Sequence, residues 1–540
     1  MNCQPIELKK QSSLIKDYRN RSESIFTHFH YDPYQLRSFK KRYEYLMHQT
    51  YQRDKLADVL ISQNQKWGLT EQVKDHIEQI RNPESVVVIG GQQAGLLTGP
   101  LYTIHKIVSI ILQAKEQQEH LGKPVIPVFW IAGEDHDFEE INHIFAMKDQ
   151  RLKKYKVKSE SLDKKPVSKR IIDVEEIKSW VNQLFSTFKE TEHTKHLYQS
   201  IINAIQHGDS YVDFFAKMIH QMFAHEGLVL VDSDHPDIRC LEKDYFIQLV
   251  EHQPAIAQSV VNQLKELDSK SYSINLDATT EDGHLFYHMN GERLLLEVED
   301  GRWVSKDEQV SFTHEELVEE IQKKPDQFSN NVVTRPIMQE MVFPVLSFIG
   351  GPGEIAYWST LKPAFETLNL QFPIITPRLT ITLLDSKHQQ WLKRFGLPFE
   401  QVMTEGTNRY KINWLKRQTS SPIEDVVEQV EQDIELIHQP LQDLASEIQV
   451  DLGEFAQSNL KLIQSELKKL EKKMMKEVKR KHQHTISQLE ELNAYYYPHH
   501  GLQERVWNIV YFMNEYGLDL PKKLLEVPPR WEQDHLVVEL

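Results

Sequence analysis

Apolar residues along this chain change spacing several times, and each change marks a new element. Val86–Ile89 is an unbroken β-branched run, the pattern of a strand buried on both faces. It breaks at Gly90-Gly91, passes Gly95 and Gly99-Pro100, and gives way to Leu101, Ile104, Ile107 and Val108 at helical spacing. A second run, Val125 to Ala132, follows that helix. Strand, helix and strand together predict a parallel pair with a right-handed crossover. Gly227–Asp232, Met341–Ile349 and Phe372–Ile375 are the third, fourth and fifth predicted strands. Between the second and fourth, Leu285–His288, Arg293–Val298 and Trp303–Ser305 alternate around Asn290-Gly291 and Asp300-Gly301. Those dipeptides are strong hairpin signals, so an antiparallel insertion is expected over about residues 140–335 of the parallel core.

The flanks follow other rules. The first 80 residues are charged and aromatic, with helical spacing around Tyr43, Leu46, Leu56 and Leu60, and are expected to pack on the core as helices. Beyond residue 420, Ile423, Val427, Val430, Ile434, Ile437, Leu441, Leu444 and Ile448 recur at steps of three and four. Leu460, Ile463, Leu467, Leu470, Met474, Val478, Ile486 and Leu489 do the same. Two heptad helices joined near Asp451–Glu454 predict an antiparallel coiled-coil hairpin, kinked at Pro440. Leu436, Leu452 and Leu462 lie off its seam, which points to a homodimer through 422–494. The expected division is 1–80 helical, 81–390 core with insertion, 391–500 coiled coil, and 501–540 returning to the body with an apolar helix over 502–517.

Composition narrows the class. With 40% hydrophobic residues the 540-residue chain is globular, and a net charge of −16 argues against a nucleic-acid partner. Its two cysteines, Cys3 and Cys240, exclude a disulfide framework or a CxxC zinc site. The apolar run Val125–Ala132 is too short to cross a bilayer, and the polar start carries no signal-peptide pattern. A soluble cytoplasmic protein without a membrane partner is expected.

Candidate chemistry gathers where predicted strands end. The turn holding Gly91, Gln92, Gln93, Thr98 and Gly99 opens into a helix, as phosphate-cradling turns do, with Tyr102 and His105 in its first turns. Neither GxxxxGK[ST] nor GxGxxG is present. The second strand runs into Glu134, Asp135 and His136, which would face the same ligand, hold an amine or hydroxyls, or act as a base. The fourth strand runs into Gly351, Gly353, Glu354, Tyr357 and Trp358, while Asn331 and Arg335 stand upstream, Arg335 suited to clamp a carboxylate. Arg505, Asn508 and Tyr511 share helical spacing in the tail. With Leu384, Asp385 and Ser386 they make a candidate second nucleotide pocket.

Gly99–His105 resembles the HIGH signature of class I aminoacyl-tRNA synthetases, with Tyr102 in place of the first histidine. Over the whole chain, GGQQAGLLTGPLYTIHK, WIAGEDHDFEEIN, FSNNVVTRPIMQE, FIGGPGEIAYW and LQERVWNIVYFMNEYG resemble the bacillithiol biosynthesis cysteine-adding enzyme (cysteine ligase) family. The resemblance implies an α/β fold: a Rossmann-like class I synthetase-type core with an inserted antiparallel connective region and a C-terminal antiparallel α-helical coiled coil. It also implies a ligase that joins L-cysteine to glucosaminyl-malate in the last step of bacillithiol formation. His105, Glu134, Asp135 and His136 are then the catalytic candidates, and Arg335 the holder of the malyl carboxylate. Around Thr376-Pro377-Arg378 and Lys362 the paired lysines of a KMSKS loop are missing, so ATP or ADP use, with Mg²⁺ alongside, stays open. Two other readings compete: a non-catalytic nucleotide-binding assembly protein, and a nucleotidyl- or glycosyltransferase.

Overall fold

The structure is a computed structural model that describes residues 2–8, 10–148, 151–158, 165–306 and 309–540. It divides into two compact units. One comprises residues 1–147, 153–386 and 503–540, and the other residues 148–152 and 387–502.

The first unit is built on five parallel strands. They are β1 (Val86–Gln92), β2 (Val125–Ile131), β3 (Val229–Asp232), β4 (Val345–Gly350) and β5 (Ile374–Pro377), in the order β5-β4-β1-β2-β3. Helix α1 (Leu101–Leu121) connects β1 to β2, α2 (Pro236–Glu251) follows β3, and α3 (Thr334–Val342) and α4 (Pro352–Trp358) flank β4. The β-branched runs are buried on both faces, as a helix-covered parallel sheet requires. A second five-stranded sheet carries the predicted hairpins. Asn290 and Gly291 have φ of 53° and 82°, and Asp300 and Gly301 48° and 77°. Two successive left-handed residues are what a tight hairpin needs. Strand β3 rejoins the parallel sheet midway along the 140–335 stretch, so this stretch is not one continuous insertion.

Three local expectations are corrected. Met341–Ile349 is not all strand: α3 fills its start, Phe343 N–H donates to Gln339 O, and β4 begins only after Pro344, which cannot continue a helix. The amino-terminal region is not purely helical, because Cys3–Ile6 pairs antiparallel with His535–Glu539, itself parallel to Ile381–Leu384. The tail helix starts late. Asn508 is extended (φ −104°, ψ 147°) and caps Ile509–Tyr516, so it cannot share a helix face with Arg505 and Tyr511.

In the second unit, α5 (Ile423–Ile448) and α6 (Val450–Lys481) are parted by extended Gln449, two residues before the predicted joint, and α7 (Gln483–Tyr496) continues from α6. Helix α5 runs on through Pro440. His438 Nε2 meets Asn459 Oδ1 at 3.2 Å, and Ser446 packs on Gly453, so the two helices fold back on each other. The seam between them is offset from the predicted one. Val427, His438 and Leu460 are buried, whereas Ile437, Leu441, Leu444 and Ile448 are 75%, 60%, 54% and 67% exposed. The apolar stripe faces outward.

One buried ion pair anchors the amino-terminal helices to the sheet. Arg42 donates to both Glu340 oxygens at 2.5 Å, to Val345 O at 3.0 and 2.8 Å, and to Gln371 O at 2.7 Å, with no exposure of its own. Removing one partner strands a buried charge. Arg42→Leu is therefore expected to cost about 3–5 kcal/mol in urea unfolding. Arg42→Leu with Glu340→Leu should recover most of that loss.

Candidate active site

Strand order reverses between β1 and β4, so the crossovers diverge there and leave a crevice beyond the carboxyl ends of the strands. A cavity of about 320 Å³ fills it. Gly91, Gln92 and Gln93 enter from β1, Trp130, Ala132 and Asp135 from β2, Arg335, Pro336 and Gln339 from α3, and Phe348, Glu354 and Tyr357 from β4 and α4. That volume lies within the usual range for a small-molecule site.

Charge in this chamber is tightly paired. Arg335 Nε lies 2.9 Å from Glu134 Oε1, and its Nη2 donates to Asp135 Oδ1 at 3.1 Å. Arg293, from the inserted sheet, donates to the same oxygen at 3.3 Å, and Gln93 Nε2 donates to Oδ2 at 3.3 Å. Burial works against the Asp135 charge, but Arg335 and Arg293 outweigh it and hold the carboxyl below its ordinary value. Lys106 Nζ donates to Gly91 O at 2.7 Å and to Glu354 Oε2 at 2.6 Å, tying the first glycine turn to the second. Glu354 Oε2 also accepts the Gly351 N–H, a capping box at the start of α4.

Several expected residues stand elsewhere. His105 is wholly buried and lines neither this chamber nor the cavity beside the glycine turn. Its Nδ1 meets Glu504 Oε2 at 2.8 Å, Arg378 grips Glu504 at 2.7 and 2.8 Å, and burial lowers the imidazole pKa. The histidine of the HIGH-like stretch is thus part of a core network, as is Arg378. His136 lies beyond Arg293 on a separate pocket of about 330 Å³ with Phe286 and Lys306. Asn331 accepts the N–H groups of Val333 and Thr334 at the start of α3. Trp358 is packed among Phe348, Phe365 and Phe372. Lys362 donates to Thr27 O. Thr98 is buried, Gly351 serves the capping box, and Gly353 faces open space.

Gly99, Tyr102, Arg505 and Asn508 meet instead at a second cavity on the far side of Gln92 and Gln93, with a volume of only about 50 Å³. Leu384, Asp385, Ser386 and Tyr511 line none of these cavities. Leu384 ends a paired strand, Asp385 faces Tyr516, and Tyr511 packs on Trp507 and Phe188. Gln339 and Trp130 complete the lining without having been singled out for it, Arg293 reaches it through Asp135, and the positive charge that Lys106 offers a ligand in the sequence is taken by Glu354. Gln339 stands one turn after Arg335, and reading Thr334–Val342 as a helix would have exposed it.

The comparisons with known proteins agree from end to end. Residues 1–379 match the family described as "Bacillithiol biosynthesis BshC, N-terminal Rossmann-like domain", and residues 381–540 match "Bacillithiol biosynthesis BshC, C-terminal coiled-coil domain". The chain belongs to the BshC family. It is 38% identical to the Oceanobacillus iheyensis protein named "Putative cysteine ligase BshC" over the full length of both chains. Relatives of the same name from Bacillus thuringiensis subsp. konkukian and Bacillus anthracis are 38% and 37% identical over 98% of each chain. The expected Rossmann-like core, coiled coil and ligase class agree with these findings. No helix of the described residues is long and apolar enough to cross a membrane.

Behind Glu134 lies an acid cluster built from the acids that end the third strand and from Glu242 of α2. Burial, reinforced by Asp234, pushes the Asp232 carboxyl up to about 8, although Ser168 Oγ donates to both its oxygens. Burial likewise raises Glu242 to about 7 and Asp234 to about 6. A folded-state pKa above the unfolded value contributes stability that is full below about pH 4 and lost as pH rises through the folded pKa. These carboxyls therefore contribute a fall in the thermal midpoint from pH 6 to 8.5, opposed by buried histidines such as His284 and His288, whose lowered values act with the other sign. Asp232→Asn should shrink that fall by at least about 2 °C; scanning calorimetry at both pH values checks it.

Proposed function

We propose that this BshC-family chain forms the amide between the carboxyl of L-cysteine and the amine of glucosaminyl-malate, as a cytoplasmic homodimer. The observation that carries this reading is the convergence of Asp135, Arg335 and Glu354 at the switch-point chamber of a chain that matches its family end to end. An aminosugar joined to a dicarboxylic acid presents an ammonium, hydroxyls and carboxylates. Glu354 Oε1 has no hydrogen-bond partner among the described residues, while Oε2 is held by Lys106 and Gly351, so Oε1 is available to the ammonium. Tyr357, partly open to the chamber, supplies a face for a sugar ring. Arg335 supplies a planar donor edge for a carboxylate.

In the reaction the amine nitrogen attacks the activated cysteine carbonyl. The C–N bond forms, the bond to the leaving group breaks, and one amine proton is released. Asp135 is held ionised, so it orients the incoming amine or hydroxyls by accepting hydrogen bonds and is a poor resting place for the proton. Gln93 and Arg293 fix that carboxylate, which limits its movement during attack.

ATP is the activating cosubstrate in this reading, yet the glycine-turn cavity does not fit a triphosphate. About 50 Å³ holds only a few water molecules, and of its lining residues Arg505 is the sole arginine or lysine. Among the described residues no three His, Cys, Asp or Glu side chains converge as a metal cage. No step is therefore routed through nucleotide or Mg²⁺.

The homodimer rests on the outward stripe of Ile437, Leu441, Leu444 and Ile448, continued on α6 by Phe455 at 71% exposure. A second copy presents the same stripe, which is the self-complementarity a two-fold dimer needs.

Wild-type protein given glucosaminyl-malate, L-cysteine and ATP should yield one new thiol with the mass of the amide. No product would contradict the reading, and product without ATP would remove the nucleotide. Arg335→Gln should lower kcat/KM by roughly 10²-fold, as loss of a positioning clamp does. Light scattering should give about twice 63.6 kDa for wild type and a single-chain mass for Leu441→Glu with Leu444→Glu; a wild-type monomer would rule the dimer out.

A further inference from the structure

The glycine turn is held in a backbone form that its own sequence does not favour. Leu97, Thr98 and Gly99 have φ of 48°, 80° and 71°, three residues in a row at positive φ of which one is glycine. A β-branched residue at positive φ is strained and persists only where its surroundings impose it. What imposes it here lies some four hundred residues away. Asn508 Nδ2 donates to Leu97 O at 2.9 Å and to Gly99 O at 2.7 Å, and approaches Leu96 O at 3.5 Å. Its Oδ1 accepts the Val510 N–H at 2.9 Å, and the neighbouring Trp507 O accepts the Leu101 N–H at 2.8 Å. Asn508 is fully enclosed, so none of these bonds competes with bulk water.

The turn in turn reaches the chamber. A Cβ on Gly95 would stand 2.7 Å from Gly99 Cα, so the two ends of the turn touch. Gly95 N–H donates to Gln93 O at 3.0 Å, and the Gln93 side chain donates to Asp135. A continuous mechanical line runs from Asn508 through Gly99, Gly95 and Gln93 to the Asp135 carboxylate.

We propose that Asn508 is a positioning residue for the amide-forming site: it clamps Leu97–Gly99 at positive φ and so fixes Gln93 against Asp135. This inference rests on the reaction proposed above. Asn508→Ser and Asn508→Asp both keep an oxygen that can cap the Ile509–Tyr516 helix, and neither can bridge the carbonyls of the turn. In the full-length chain, each should lower kcat/KM by at least about 10-fold, since small misplacements of positioning groups are costly. Deuterium exchange should speed up in peptides covering residues 94–103 while peptides covering 509–516 keep wild-type rates. A residue that serves only as a helix cap would leave both readouts unchanged, and that result overturns the proposal. So does faster exchange spread equally over both segments, or a loosened turn with wild-type kcat/KM. If wild-type protein itself makes no amide product, the reaction assignment and the catalytic half of this claim both fall, and exchange alone decides whether Asn508 holds the turn.

Discussion

Arg335 lies between the carboxylates of Glu134 and Asp135, and Asp135 lies between Arg335 and Arg293. This chain of alternating charges joins the loop after β2, the start of α3 and a strand of the inserted sheet, segments separated by as much as 200 residues. Charges removed from water persist only when opposed, so each of these segments is committed to its place by the others. The chamber at the switch point exists because of that commitment. Its floor is the parallel sheet and Arg335 is part of its wall, with Arg293 bracing Asp135 from the far side; loss of Arg335 would take from Glu134 the guanidinium that pairs with it.

The same economy explains why a glycine turn can look like a phosphate cradle and be used otherwise. Gly91 packs so closely on β2 that a Cβ would stand 2.8 Å from Trp130 O, and Gly95 packs as closely on Gly99. These glycines admit protein backbone. The histidine that follows is enclosed with Glu504 and Arg378, and tail residues fill the ground beside the turn. The ligand space that remains is on the other side of Gln92 and Gln93.

Legibility in the sequence followed the range of the interaction. Parallel strands and both hairpin turns were legible because β-branched runs and Asn-Gly or Asp-Gly pairs act within a few residues. The pairing of Cys3–Ile6 with His535–Glu539 was not, since short edge strands from the two ends of the chain carry no local mark of each other. In the coiled coil the period was legible and the direction was not: steps of three and four identify a stripe, but whether it meets the neighbouring helix or faces outward depends on which positions pack. For the site, Glu134–Asp135 and Arg335 could be read from their place at element ends. Gln339 needed only the helix Thr334–Val342 to be recognised, whereas Arg293 reaches Asp135 by tertiary placement alone. His105 misled for a related reason: a motif fixes a residue's neighbours in sequence, whereas Glu504, which decides its role, comes from 399 residues away.

The central claim is that the chamber between β1 and β4 receives the amine-bearing substrate. The most direct measurement is a crystal structure of the wild-type protein soaked with glucosaminyl-malate alone. The account predicts density in the chamber of about 320 Å³, with a carboxylate against Arg335 and the sugar amine within hydrogen-bond distance of Glu354. Density confined to any other part of the molecule, with the Asp135–Arg335 pair unvisited, would contradict it.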